Sequence, residues 1–212
     1  MNEKYSYNVE RYCLISKFNE KVKTREDDMI IMINGPFGVG KTTVSHMLKT
    51  SISSSMIFDP EEVGFMLRNI VTEDVRLDSE STGDFQDLIP WKELFVDVAE
   101  KLSKTYKKDL IIPMTIRNKE YFSYIKKRLE KIDSEVYHFC LLASKEIIHK
   151  RLSDRGDAYG SWAFQQTDKC LKAFQDDSEL FATLVNTDNI SEDEVHEYIL
   201  KYIAEHHTED CC

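Results

Sequence analysis

Residues Gly35-Pro36-Phe37-Gly38-Val39-Gly40-Lys41-Thr42 satisfy the pattern G-x-x-x-x-G-K-S/T at every fixed position, and residues of these types at this spacing do chemistry on a polyphosphate. A triphosphate must be wrapped by backbone N–H groups, and only a chain stripped of Cβ atoms comes close enough. Gly35, Gly38 and Gly40 provide that. Lys41 is a point charge for the β- and γ-phosphates, Thr42 a hydroxyl for Mg²⁺, and the helix that begins there adds the positive end of its dipole. The sequence predicts a site for ATP or GTP contacted by Gly35, Pro36, Phe37, Gly38, Val39, Gly40, Lys41, Thr42 and Thr43, with Thr42 on the metal. Short motifs also arise by chance on surface loops, so context decides: an apolar run, Met29–Ile33, precedes the loop. Thr43–Lys49 follows it, with Val44, Met47 and Leu48 at helical spacing.

Other residue types could act on the bound phosphates or on an acceptor. Asp59 ends the apolar run Met56-Ile57-Phe58 and precedes Pro60. Its carboxylate either takes a hydroxyl proton or holds Mg²⁺ through water, or else simply forms the turn that Asp-Pro favours. Arg151 and Arg155 stand four apart before Gly156-Asp157-Ala158-Tyr159-Gly160. On a lid that closes over the phosphates they would neutralise developing charge; as plain helix-end cations they would cap a dipole. Arg117 is either an anion contact or a surface arginine. Phe85, Trp91 and Trp162 flank polar segments, where each could stack on a ligand ring, although such aromatics more often fill a core.

The elements that must position these groups alternate. Strands are expected at Met29–Ile33, Met56–Phe58, Asp109–Ile116, Val136–Leu142 and Leu180–Val185, and helices follow each of them. The helices are expected from Pro60 through Ile70, Leu88–Lys107, Glu120–Lys131, Ser144–Leu152 with Ser144 as cap, Trp162–Phe174 and Glu192–Ile203. The acidic stretch Thr72–Asp87 reads as a solvated loop. Alternation of this kind predicts an α/β fold with a five-stranded parallel sheet covered on both faces, and ligands beyond the carboxyl ends of its strands. Residues 1–28 read as an amphipathic helical extension, 29–205 as the domain and 206–212 as a disordered tail. The third strand runs into Pro113-Met114-Thr115 rather than an acid, which speaks against a motor ATPase.

Composition narrows the choice further. A chain of 212 residues with 42% hydrophobic content buries one substantial core. A net charge of −10 and a pI near 5.1 oppose a broad nucleic-acid surface. Five scattered cysteines, Cys13, Cys140, Cys170, Cys211 and Cys212, form neither a disulfide framework nor a zinc spacing, which points to a reducing cytoplasm. The histidines add no metal-ligand spacing. Charges interrupt the N-terminus, no stretch approaches membrane-spanning length, and the terminal cysteine pair lacks the basic flank that supports a lipid anchor.

Several strings together resemble the bacterial tunicamycin resistance proteins: Ile33–Thr42, Phe58–Phe65, Asp84-Phe85-Gln86, Ile112–Thr115, Leu142–Glu146, Ser161-Trp162 and Thr187-Asp188-Asn189. The resemblance runs from the first strand to the last helix. It implies a P-loop NTPase, kinase-like three-layer fold with a small lid, ATP binding, and protection against tunicamycin, a nucleoside antibiotic bearing uridine, sugars and a lipid chain. Residues 1–28 look like an addition, and the acidic tail replaces a basic segment, which speaks against membrane association. The resulting expectation is an ATP- and Mg²⁺-dependent phosphotransferase acting on a hydroxyl of a nucleoside-like or antibiotic small molecule. Lys41, Asp59, Arg151 and Arg155 would be catalytic, and Asp59, Phe85, Trp91 and Arg117 would meet the acceptor. A nucleotide-gated protein that sequesters the drug unmodified, and a metabolic nucleoside or nucleotide kinase, are the alternatives.

Overall fold

The apolar run ahead of the glycine loop becomes the centre of a sheet. The computed structural model describes residues 15, 16, 18, 28–181 and 183–206. Its strands are β1 (Ile30–Asn34), β2 (Ser55–Ile57), β3 (Asp109–Pro113), β4 (Val136–Leu142) and β5 (Leu184–Asn186), ordered β2-β3-β1-β4-β5. All four pairings are parallel, with Ile31 level with Ile111 on one side and Tyr137 on the other. A parallel sheet is roofed on both faces by its crossover helices, so its central strands need apolar residues at successive positions. β1 and β3 are accordingly buried throughout.

Alternation along β1 divides the core into two layers. Ile31 and Ile33 pack with Val44 and Leu48 of helix α1 (Lys41–Ser51), with Ile148 and Leu152 of α5 (Lys145–Asp154), and with Ile199 and Ile203 of α7 (Glu192–His206). Ile30 and Met32 face the other layer. It is built from Leu67 of α2 (Glu61–Ile70), Phe95 of α3 (Trp91–Tyr106), Phe122 of α4 (Lys119–Leu129) and Phe174 of α6 (Trp162–Asp176). The result is the expected three-layer α/β fold with a five-stranded parallel sheet.

Several boundaries differ from the sequence reading, each for a local reason. The strand expected at Leu180 begins only at Leu184: Leu180 and Phe181 donate to Asp177 O in a turn, and Thr183 takes a left-handed φ of 61°. The third strand stops at Pro113, which has no N–H of its own to give; Met114 N–H still donates to Ile33 O at 3.0 Å before the chain leaves the sheet. The helix expected from Leu88 starts at Trp91, with Pro90 at its cap. Thr72–Asp87 is not simply solvated. It contains 3₁₀ turns at Asp78–Glu80 and Phe85–Asp87, and buried Glu80 accepts from the N–H groups of Leu77 and Ile89. Ser144 does precede α5, yet its side chain makes no cap; its N–H donates to Asp188 Oδ1 instead. Of the expected N-terminal helix only Ile15, Ser16 and Phe18 are described; all are helical, and Phe18 is buried. His206 still belongs to α7, and the tail beyond it lies outside the described residues. No helix among the described residues is long and apolar enough to cross a membrane.

Candidate active site

β1 ends at Asn34, and Asn34 sets the entry to the glycine loop. Its Oδ1 accepts from the N–H of Gly35 at 2.8 Å and of Ile116 at 2.9 Å, while Nδ2 donates to Ile116 O at 3.0 Å. Buried, with both its amide oxygen and its nitrogen bonded, it ties the loop to the segment after β3. Thr115 adds a second tie, from Oγ1 to Gly35 O at 2.8 Å. Gly35 is required there, because a Cβ would fall 2.3 Å from Leu141 O at a φ of +141°.

Gly40, at φ 103°, then turns the chain into α1 with no side-chain cap and no acid in the first turn. The first N–H groups of α1 are thus open to an anion. Lys41 Nζ donates to Gly35 O at 3.0 Å and Pro36 O at 2.8 Å. Burial pushes its ammonium down from 10.5 to about 8, opposed in part by Cys170 and Glu61. A loop with glycine at three positions of positive φ, an uncapped helix start and a lysine at its mouth fit a triphosphate. Thr42, exposed beside them, fits the metal role. Among the described residues no cluster of three or more His, Cys, Asp or Glu could hold a metal alone, so Mg²⁺ here would draw on phosphate oxygens, water and the Thr42 hydroxyl.

These groups line a cleft of about 770 Å³ at the carboxyl end of the sheet, in which Phe37, Gly38, Gly40, Lys41, Thr42 and Thr43 form the loop wall. Gly35, Pro36 and Val39, also expected at the nucleotide, do not line it and instead hold the loop's shape. The Gly35 N–H is taken by Asn34, Pro36 has no N–H, and Val39 is core.

Two carboxylates face the loop from beyond β2. Asp59 Oδ1 accepts from Glu61 N–H at 2.9 Å, which starts α2 and satisfies the turn-forming reading. Its second oxygen makes no bond among the described residues, and the residue lines the same cleft. Glu61 is there too. Its carboxyl is pushed up by burial first and by the Asp59 charge second, with Lys41 pulling the other way.

The two arginines reach the cleft with different bonds. Arg151 is a brace: Nη1 donates to Thr187 Oγ1 at 2.9 Å and Val39 O at 3.4 Å, and Nη2 to Thr187 O at 2.7 Å. It joins the loop to the end of β5. Arg155 caps α5 and pairs with Asp157, on the 153–161 segment whose Gly156 and Gly160 both take positive φ.

A second cleft of about 440 Å³ adjoins the first, and Phe37, Glu61 and Trp162 belong to both walls. Phe85 stands in it because residue 64 is glycine; a Cβ there would lie 2.2 Å from the ring. Phe65 meets Phe85 edge-on at 5.7 Å, and the Arg68 guanidinium lies 5.2 Å above it. Arg117 lines this cleft and pairs with Asp84 at 3.6 Å. Trp91 does not line it, which corrects the expectation that it would stack on a ligand. It is fully buried between Phe85 and Phe95, with Nε1 donating to Pro60 O at 3.2 Å.

Sequence reasoning gave no individual role to Asn34, Glu61, Gln166 or Thr187, although Asn34 and Glu61 lie in the stretches after the first and second strands where ligands are expected. A polar residue closing an apolar run was the signal for Asn34, and an acid two places past a strand-ending aspartate the signal for Glu61. Gln166, inside α6, and Thr187 gave no sign of their roles, because both depend on which elements the fold brings together.

No protein-family profile matches this chain, and no curated protein matches its sequence. Solved structures do. The chain is similar to the tunicamycin resistance protein of Deinococcus radiodurans at 26% identity, covering 83% of this chain and 96% of that one with a TM-score of 0.66. It is also similar in fold to shikimate kinase from Acinetobacter baumannii (14% identity, 88% and 99% covered, TM-score 0.57). A gluconokinase from Sinorhizobium meliloti matches likewise (15% identity, 85% and 96% covered, TM-score 0.56). The fold is that of the P-loop small-molecule kinases.

Proposed function

We propose that this protein is an ATP- and Mg²⁺-dependent phosphotransferase that acts on a hydroxyl of tunicamycin or a related nucleoside-like small molecule. The observation that carries the reading is the junction of two clefts, one shaped for a triphosphate and one walled by aromatics, with the Glu61 carboxyl on both. The likeness to the Deinococcus protein supports the choice of acceptor. Bound ATP supplies the phosphoryl group, with Mg²⁺ screening its charge. Lys41 and the first amides of α1 hold the phosphate oxygens, and Thr42 contributes to the metal. Arg151 keeps the loop against β5, and Arg155 exchanges Asp157 for the transferring group. The acceptor oxygen attacks the γ-phosphorus, ADP leaves, and the hydroxyl proton passes to a carboxylate. Glu61 suits that task, since it reaches both clefts and burial raises its affinity for a proton. Asp59, with one oxygen spent on α2, would hold Mg²⁺ through water with the other. Phe85 and Arg117 shape the acceptor cleft.

Purified protein incubated with ATP, Mg²⁺ and tunicamycin, with nucleosides in parallel, should yield phosphorylated tunicamycin by mass spectrometry. Drug that stays bound yet unmodified would indicate sequestration, and phosphorylated nucleosides alone a metabolic kinase. Glu61→Gln and Asp59→Asn should each lower turnover by roughly 100-fold or more while ATP still binds; full turnover in both would remove the carboxylate step.

A further inference from the structure

The second cleft contains a polar atom that nothing in the fold satisfies. Gln166, on the second turn of α6, is 4% exposed, and its Oε1 is buried without a hydrogen-bond partner among the described residues. An orphaned buried acceptor is costly, and native folds rarely keep one without use. Gln166 lines the aromatic-walled cleft. Its oxygen therefore calls for a ligand that brings an N–H or O–H donor.

The charges around it are already balanced. Of the ionisable residues lining the cleft, Arg68 and Arg117 are basic, Glu61 and Asp84 acidic. Asp84 uses both oxygens, Oδ1 on Gln86 N–H at 3.0 Å and Oδ2 on Arg117 at 3.6 Å. Arg68 lies over Phe85 and donates to Gly83 O. An anionic acceptor would meet Glu61 and Asp84 as well as the two arginines, so the pocket carries no net positive charge to favour a phosphate or carboxylate on its ligand. Phe65, Phe85 and half-exposed Trp162 offer ring faces and edges instead.

We infer that Gln166 is the specificity-determining residue of an acceptor pocket for an uncharged planar heterocycle, whose N–H donates to Gln166 Oε1 while the ring packs against Phe85 and Trp162. This rests on the phosphotransfer reading only for calling the ligand an acceptor; the binding itself stands apart. The test is calorimetric titration of the full chain, its donor cleft filled with a non-hydrolysable ATP analogue and Mg²⁺, with ribonucleosides and their 5′-monophosphates. At least one nucleoside binds about tenfold or more tighter than its monophosphate, and Gln166→Leu weakens that nucleoside by about tenfold. Because the variant removes an unpaired buried oxygen, its Tm stays level or rises. The inference is overturned if no nucleoside binds, if monophosphates bind as tightly, if Gln166→Leu binds unchanged, or if its Tm falls so that the amide proves structural. A nucleoside that binds, with tunicamycin bound yet never phosphorylated, leaves this inference standing and removes the transfer reading. Phosphorylation of an anionic acceptor, with no nucleoside bound, does the reverse.

Discussion

Lys41 should set the pH behaviour of the cleft proposed for ATP. Its ammonium, lowered from 10.5 to about 8 by burial, is charged below that point and neutral above it, while phosphate oxygens stabilise the charged form. ATP affinity should hold below about pH 8 and fall above it, with a proton taken up on binding. For stability the sign is opposite: between about 8 and 10.5 the unfolded chain holds a proton that the folded one does not. The contribution of Lys41 to stability therefore rises with pH through that window, and its penalty is full below it. Calorimetry at roughly pH 8.5 in two buffers of different ionisation enthalpy measures the uptake; none would contradict the lowered pKa of Lys41. The turn from β1 into α1 was legible because its glycines stand where the backbone takes positive φ. Trp91 was not, because an aromatic beside a polar segment reads the same whether it faces a cleft or, as here, bonds Pro60 O from within the core.

Helix α2 carries more of the site than its length suggests. Asp59 and Glu61 sit at its start, followed by Gly64, Phe65 and Arg68, so its placement beneath Phe85 shapes the aromatic-walled cleft proposed for the acceptor. Gly64→Ala would drive a methyl to 2.2 Å from the Phe85 ring and cost about 1 to 3 kcal/mol through overpacking. Alanine's better helix propensity, about 1 kcal/mol, offsets part of that. The variant should raise the KM for the acceptor severalfold while leaving ATP affinity unchanged; an unchanged acceptor KM would show that Phe85 does not shape the pocket. Helix existence was legible from spacing and from Pro60-Glu61-Glu62. The contact between residues 64 and 85 was not, since it spans two elements and rests on the absence of a side chain. β5 was misplaced for a related reason: the apolar run from Leu180 starts with a turn on Asp177 that only the end of α6 dictates.

At the scale of the whole molecule, the order β2-β3-β1-β4-β5 puts the ends of β1, β2 and β3 side by side, which is why residues 34–43, 59–61 and 115–117 meet. The alternation of elements made that architecture legible, and the likeness to P-loop kinases agrees with it. The account turns on the two clefts working as one site, and the fate of the γ-phosphate tests this most directly. With ATP labelled at that phosphate, Mg²⁺ and tunicamycin, the label should appear in the drug in clear excess over inorganic phosphate. Label that remains in ATP, or that is released only as inorganic phosphate while the drug stays unmodified, would contradict it.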